Sequence, residues 1–122
     1  MYYIFTLSTL GQIKEFLKSD FLEFLKECDI RRLVPSLKAH NVIDYDEIWR
    51  TEYGGGRREA NLRLYEMLCR DISTQKLSAL SHCLREDNTQ PVHRLLADKI
   101  SAFLGTIFSY LLSAFFTLQF LM

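Results

Sequence analysis

The residues whose types suggest chemistry are three cysteines and three histidines, one pair of which is adjacent. Ser81, His82 and Cys83 are consecutive, as a nucleophile and its base could be. Neighbouring residues on a helix point about 100° apart, however, so this pair cannot share the hydrogen bond that the chemistry needs. We therefore expect Cys83 in a core, His82 at or near the surface, and no catalytic residue.

The same residue types are also the usual ligands of zinc, but their spacing is not that of structural zinc sites. They are Cys28, Cys69, Cys83, His40, His82 and His93. We expect core cysteines and scattered histidines, with no metal and no cofactor. An odd number of cysteines without a CxxC pair is typical of a reducing cytosol. The glycine triplet at residues 54–56 lacks the Lys and Ser/Thr of a phosphate loop and is interpreted as a connector.

Composition limits the function further. Fifteen basic and fifteen acidic residues give a formal net charge of zero, so the chain has no net field that would attract nucleic acid. With 122 residues, 48% of them hydrophobic, it can build one modest core. A second independent domain would not fit.

Apolar residues recur at helical spacing from Gly11 onward, which predicts a first helix with one buried stripe. The stripe comprises Ile13, Phe16, Leu17, Phe21, Phe24, Leu25 and Cys28. Ser19 and Asp20 interrupt it, and a bend or a new cap is expected there. Residues 1–11 are apolar but lack the basic start and cleavage site of a signal peptide, so they are interpreted as a lead-in that frays or packs.

Two short helices should follow. Asp29 can cap the second, and Pro35 predicts that it starts late or kinks before ending near His40. Asp44 can cap the third with Glu47 reciprocating three residues later, which predicts a helix from residue 45 to about residue 52.

Three further stripes predict helices four to six, and Ser73 can cap the fifth. The stripes are Ala60, Leu64, Met67 and Leu68; then Leu77, Leu80 and Leu84; then Val92, Leu95, Leu96 and Ile100. No segment alternates with a period of two, so we expect an all-α chain. Six short helices with short connections should pack as antiparallel neighbours around one core.

Three stretches carry a family resemblance: DIRRLVPSLKAHNVID, YDEIWRTEYGGGRREANLRLYEML and LSALSHCLREDNTQPVHRLLADKI. They resemble the second helix, the third helix with its loop and basic fourth helix, and the last two helices of caspase-recruitment (CARD) domains in the death-fold superfamily. The resemblance covers roughly residues 17–100. It implies a six-helix antiparallel bundle of Greek-key arrangement over residues 12–99.

The resemblance also implies a way of working, in which one domain binds another of the same fold and catalyses nothing. An acidic surface on helices two and three would meet a basic surface on helices one and four of the partner. The acidic residues implied are Asp44, Asp46 and Glu47, and the basic ones are Arg57, Arg58, Arg63 and Lys26. Arg58 and Arg63 would lie about 140° apart on a helical wheel. Trp49, beside the acidic cluster, is either a core anchor or a contact residue.

The implied function is a cytoplasmic adaptor or decoy in apoptosis or innate immunity, which recruits or blocks caspases or signalling receptors. Its partner would be a CARD-containing protein or a second copy of itself. No nucleic-acid partner is expected.

Residues 100–122 differ from the rest of the chain because they carry no charge. As a helix they would extend about 35 Å, enough to cross a hydrocarbon core of about 30 Å. Three interpretations stay open: a tail anchor in an intracellular membrane, a seventh helix that binds the core or a partner, and an apolar end produced by an aberrant transcript. The alternative function is accordingly a small tail-anchored membrane protein whose helical cap has no homotypic partner.

Overall fold

The computed structural model describes residues 2–43, 56–71, 73–87 and 89–121. Every regular element in those ranges is helical, which confirms the all-α class. The α-helical segments are α1 (Tyr2–Phe16), α2 (Leu22–Leu25), α3 (Val34–Ala39), α4 (Arg57–Arg70), α5 (Thr74–Glu86) and α6 (Pro91–Leu121). A π turn (Leu17–Phe21) joins α1 to α2, and a 3-10 turn (Ile30–Leu33) leads into α3. The predicted third helix, residues 45–52, lies outside the described residues and stays a prediction.

The first helix is longer than its apolar stripe suggested. It begins at Tyr2, so the apolar lead-in is continuous with it, and Gly11 lies within its exposed surface. One glycine costs a helix only about 1 kcal/mol, too little to end it where apolar neighbours continue. The interruption expected at Ser19 and Asp20 is a π turn and not a break. There the Ser19 hydroxyl donates to the carbonyl oxygen of Glu15 at 2.8 Å.

The late start of the second predicted helix is confirmed. A 3-10 turn comes first and α3 begins one residue before Pro35, because proline fits a first helical turn but not a helix interior. The capping role predicted for Asp29 is wrong, since its side chain caps nothing and instead accepts from Arg31 Nε at 3.1 Å. The helix ends at Ala39 with His40 as its C-cap, close to the expected end, and Asn41 follows with φ of 59°, a left-handed conformation that asparagine tolerates.

The predicted stripes of the helices meet in one hydrophobic core. Its members include Ile13, Phe16, Leu17, Phe21, Leu25, Cys28, Leu37, Leu64, Leu68, Leu77, Leu80, Leu84, Leu96 and Ile100. The rings of Phe16 and Phe103 stack at 4.2 Å between centroids, which joins α1 to α6. The core is therefore built from residues far apart in the chain.

The helices α5 and α6 form the main packed pair. The predicted cap of α5 is confirmed, because the Ser73 hydroxyl accepts from the Lys76 amide at 3.2 Å. Pro91 is the first residue of α6, a position where its missing N–H costs nothing. The predicted sixth helix and the apolar tail are one unbroken helix of 31 residues.

One residue of the sixth stripe was misplaced. Leu95 is 52% exposed, whereas His93, Leu96, Ala97 and Ile100 are fully buried. His93 stands three residues before Leu96 and four before Ala97, and Ile100 follows those two by four and three, so the four share one face of α6, whereas Leu95 lies about 160° from the direction of His93. The buried face of α6 therefore includes His93 and not Leu95, although histidine is the more polar of the two.

Candidate functional site

A buried asparagine fixes the chain segment that follows α2. The Asn61 side chain on α4 donates to the carbonyl oxygens of Leu25 and Cys28, both at 2.9 Å. Its own oxygen accepts from the Ile30 amide at 3.3 Å. Asn61 is 5% exposed, so these bonds replace water that cannot reach the same groups. The side chain thereby holds the end of α2 and the segment after it against α4.

A buried histidine on α6 also holds this segment. His93 Nε2 accepts from the Asp29 amide at 3.0 Å, so this nitrogen carries no proton. Nδ1 lies 2.6 Å from Asp87 Oδ2 and must be the protonated nitrogen of a neutral ring. Burial alone would raise the pKa of Asp87, but hydrogen bonds from the Thr89 hydroxyl and amide, and from His93, hold it below its ordinary value.

A groove of about 510 Å³ opens between α2 and α4, next to the segment that Asn61 and His93 fix. Its uncharged lining is Leu22, Leu25, Asn61 and Leu62. Its charged lining is Lys26, Arg57, Arg58 and Glu27. We call this site the basic groove, because three of its four charged side chains are positive.

The charges of the basic groove are largely unpaired. All four of its charged side chains are exposed or partly exposed, and Arg57 donates to the Glu27 carbonyl oxygen at 3.3 Å. Neither Lys26 nor Arg58 forms an ion pair among the described residues. These two cations can meet an acidic partner without first breaking an ion pair to any described residue.

Three of the four predicted basic residues therefore lie together, and Arg63 does not. Its guanidinium pairs with Glu59 at 2.9 Å, one turn back along α4. Arg63 Nε is buried with no hydrogen-bond partner in the part of the chain that the structure describes. The separation follows from the helical angle of about 140° between Arg63 and Arg58.

The predicted acidic surface, Asp44, Asp46 and Glu47, lies outside the described residues, as does Trp49. Their partner-binding role stays a prediction.

The cysteines and histidines do not assemble a reactive site. His82 is exposed and Cys83 is buried, as predicted, so the two side chains point apart. Cys28 is buried as well. Cys69 is exposed, so the prediction that it is a core cysteine was wrong. Burial raises the pKa of the Cys28 thiol to about 12, although Arg57 acts against the rise, and burial raises the pKa of Cys83 as well. Both buried thiols therefore stay protonated and unreactive.

No group of three or more His, Cys, Asp or Glu side chains among the described residues could hold a metal ion.

The far half of α6 exposes large apolar side chains. They are Phe108, Tyr110, Leu112, Phe115, Phe116 and Leu121. By length and composition alone, the stretch from Pro91 to Gln119 could cross a membrane, with a mean hydropathy of 1.6 and 12% of the window buried. The Thr106 and Thr117 hydroxyls donate to carbonyl oxygens one turn back, at 3.1 and 2.9 Å, so their polar groups are satisfied within the helix.

Sequence reasoning missed both Asn61 and His93, the residues that shape this site. A signal was present for each. His93 stands three residues before Leu96 and seven before Ile100, which is the spacing of a buried face. Asn61 stands three residues before Leu64 and shares its side of α4. A polar residue in such register indicates a buried hydrogen-bonding role.

No family model, curated protein or solved structure matches this chain.

Proposed function

We propose that this chain is a non-enzymatic adaptor or decoy of the CARD type, with a six-helix death-fold bundle that binds a partner of the same fold. In this proposal the domain recruits or blocks a caspase or a signalling receptor. The observation that supports it most is the basic groove, where Lys26, Arg57 and Arg58 surround an apolar cleft. Lys26 follows the end of α2, within the stripe predicted as the first helix, and Arg57 and Arg58 begin α4, the predicted fourth helix; the family resemblance assigns the basic surface to these two predicted helices.

The groove supplies more than charge. An exposed ion pair contributes only about 0–1 kcal/mol, so three such pairs would mainly set orientation and the rate of encounter. Leu62 and Leu22 add apolar surface that can be buried in a complex. A site with both properties suits a protein partner better than a small anion.

Charge reversal tests this function. The full chain carrying Arg57→Glu and Arg58→Glu should fail to co-precipitate with any CARD that the wild type binds in a panel of such domains. The matched control is Lys14→Glu with Lys18→Glu, because these exposed bases lie outside the groove and change the net charge equally. Equal helicity by circular dichroism verifies folding. Binding that survives the first pair of substitutions contradicts the proposed surface.

We further propose that the exposed end of residues 100–122 anchors the bundle to an intracellular membrane, with the bundle in the cytosol. The large apolar side chains exposed from Phe108 onward support an anchor, whereas Ile100 and Phe103 pack on the bundle and stay outside the membrane. Alkaline carbonate extraction of membranes from expressing cells should leave the chain in the pellet. Release into the soluble fraction contradicts the anchor and favours a helix that binds the core or a partner.

A second candidate function is favoured by the same exposed surface of α6. The chain would then be a small anchored protein whose bundle is a folded cap with no homotypic partner. The CARD panel separates the two, since a cap binds no member of it and does not associate with itself. The anchor experiment does not separate them, because both functions include the tail.

A further inference from the structure

The helix α6 leaves the bundle between Ile107 and Phe108. Ile107 is 2% exposed, whereas Phe108, the next residue, is 69% exposed. One turn earlier Phe103 stacks on Phe16, so α6 still belongs to the bundle at that level. The free part of α6 is therefore residues 108–121, which form about 21 Å of helix at 1.5 Å per residue.

The length of this free part matches one leaflet of a membrane. A hydrocarbon core is about 30 Å thick, and a helix needs about 20 residues to cross it. From the outer edge of the headgroups to the midplane, a bilayer measures about 20–22 Å. Residues 108–121 are thus too short for a span and long enough to reach the midplane.

The exposed apolar side chains surround the free part of α6 and do not form a single stripe. Phe108 and Phe115 lie within about 20° of each other on a helical wheel. Tyr110 and Leu121 lie on the opposite side, about 140–160° from Phe108. All four are exposed. A groove on a partner protein would cover one side of the helix, whereas hydrocarbon covers every side. Lipid is therefore the occupant that fits this surface.

The first helix, α1, extends toward the same end of the bundle. At one level Phe16 stacks on Phe103. One turn earlier in α1, Gln12 lines a groove together with Ile107, which is one turn later in α6. The two helices therefore run in opposite directions, and the part of α1 before Gln12 continues toward the free part of α6. Residues 1–13 carry no charge either.

We propose that this end of the molecule inserts into a single leaflet. Residues 108–121 descend to the midplane, and the uncharged first half of α1 lies in the headgroup region beside them. Tyr2 and Tyr3 suit that depth, because tyrosine combines an apolar ring with a polar hydroxyl. The inference rests on the proposed anchor and names its depth and its second helix. It differs from an anchor in which all of residues 100–122 cross the bilayer.

Spin labels on single cysteines measure the depth. The background is Cys69→Ser, because Cys69 is exposed while Cys28 and Cys83 are buried and stay unlabelled. The full chain then carries Phe108→Cys or Leu121→Cys and is reconstituted in phosphatidylcholine vesicles. Electron paramagnetic resonance reports collisions of each label with a water-soluble nickel chelate and with oxygen. Collisions with nickel should be rarer at residue 121 than at residue 108, and collisions with oxygen should be more frequent.

A helix that crosses the bilayer gives the reverse order. With Lys99 at one interface, Phe108 would lie about 14 Å away, near the midplane, and Leu121 about 33 Å away, at the far interface. A label that is deeper at residue 108 than at residue 121 therefore overturns the inference. The matched control is Leu95→Cys, an exposed leucine of α6 within the bundle, whose label should meet nickel as freely as in water.

A third label tests the place of α1. The label of Tyr3→Cys should meet nickel less often than that of Leu95→Cys and more often than that of Leu121→Cys. Equal accessibility at residues 3 and 95 overturns the position of α1 in the headgroup region. Circular dichroism of every variant should match that of the wild type, which verifies that the labels report on the folded chain.

The outcomes distinguish this inference from the anchor on which it rests. If carbonate releases the chain, the proposed anchor fails and the inference fails with it. If the chain stays in the membrane pellet and residue 121 is shallower than residue 108, the anchor survives and insertion into one leaflet is overturned. If the chain stays in the pellet and both labels remain in water, insertion of α6 is overturned and a membrane-bound partner protein holds the chain.

Discussion

Replacing Asn61 by alanine should lower the free energy of unfolding by about 3 kcal/mol. The side chain makes three hydrogen bonds, to the carbonyl oxygens of Leu25 and Cys28 and from the amide of Ile30. Each lost bond of this kind costs about 1 kcal/mol, and more where its partner stays buried without water. Asn61 also lies in the basic groove, so the same change should weaken the homotypic binding that we propose.

A second substitution tests the direction of the bonds. Asn61→Asp keeps an oxygen that can accept from the Ile30 amide. It replaces the NH2 donor by a second carboxylate oxygen, which would face the carbonyl oxygens of Leu25 and Cys28. A buried carboxylate without a donor is costly, so this variant should be at least as unstable as Asn61→Ala.

The assay is urea denaturation of the full chain in non-ionic detergent, followed by circular dichroism at equilibrium. The control is Gln75→Ala, which removes an exposed side chain on α5 and should change stability by less than about 0.5 kcal/mol. If Asn61→Ala loses no more stability than this control, the buried hydrogen bonds do not hold α4 to the segment that follows α2.

Three further expectations concern ionisable groups. A maleimide reagent should label Cys69 in the folded chain and reach Cys28 and Cys83 only after denaturation; rapid labelling of all three would contradict their burial. The folded pKa of Cys28, about 12, exceeds its ordinary 9.0, so its contribution to stability is complete below pH 9.0 and is lost as the pH rises toward 12. Urea midpoints of Cys28→Ala should therefore fall less steeply with alkaline pH than those of the wild type. The lowered pKa of Asp87 contributes stability that is present above its ordinary 3.8 and is lost as the pH falls through the folded value. Asp87→Asn should therefore show a flatter acid dependence, and an unchanged slope would mean that the hydrogen bonds of Asp87 with Thr89 and His93 are not formed.

The sequence was sufficient for the helices because their signals are local. The stripe through Phe21 and Leu25 defines a buried face, and Pro35 fixes where a helix can start. Ser73 precedes its helix with a hydroxyl in capping position. Each of these features depends on residues within a few positions of one another, so no knowledge of the tertiary fold was needed.

The predictions that were wrong concern residues whose positions depend on contacts between distant segments. Asp29 has the side chain of a helix cap, yet the neighbouring Arg31 competes for it and its amide is bound by His93 from α6. Leu95 is apolar but lies off the face that meets α5. Arg63 was grouped with Arg58 by charge, although the helical angle between them already separates the two. Polar residues in a core are the hardest to predict, because their partners are usually backbone groups elsewhere in the chain.

The unbroken course of α6 has a mechanical consequence. A helix of 31 residues is a rod about 47 Å long, and none of its residues after Pro91 is a proline that could act as a joint. A membrane or partner that binds the C-terminal end of α6 therefore fixes both the distance and the orientation of the bundle at the N-terminal end. Copies bound to one flat surface through this end would present their basic grooves at the same distance from it. Their encounters would then depend on lateral diffusion and rotation in a plane and not on diffusion in three dimensions.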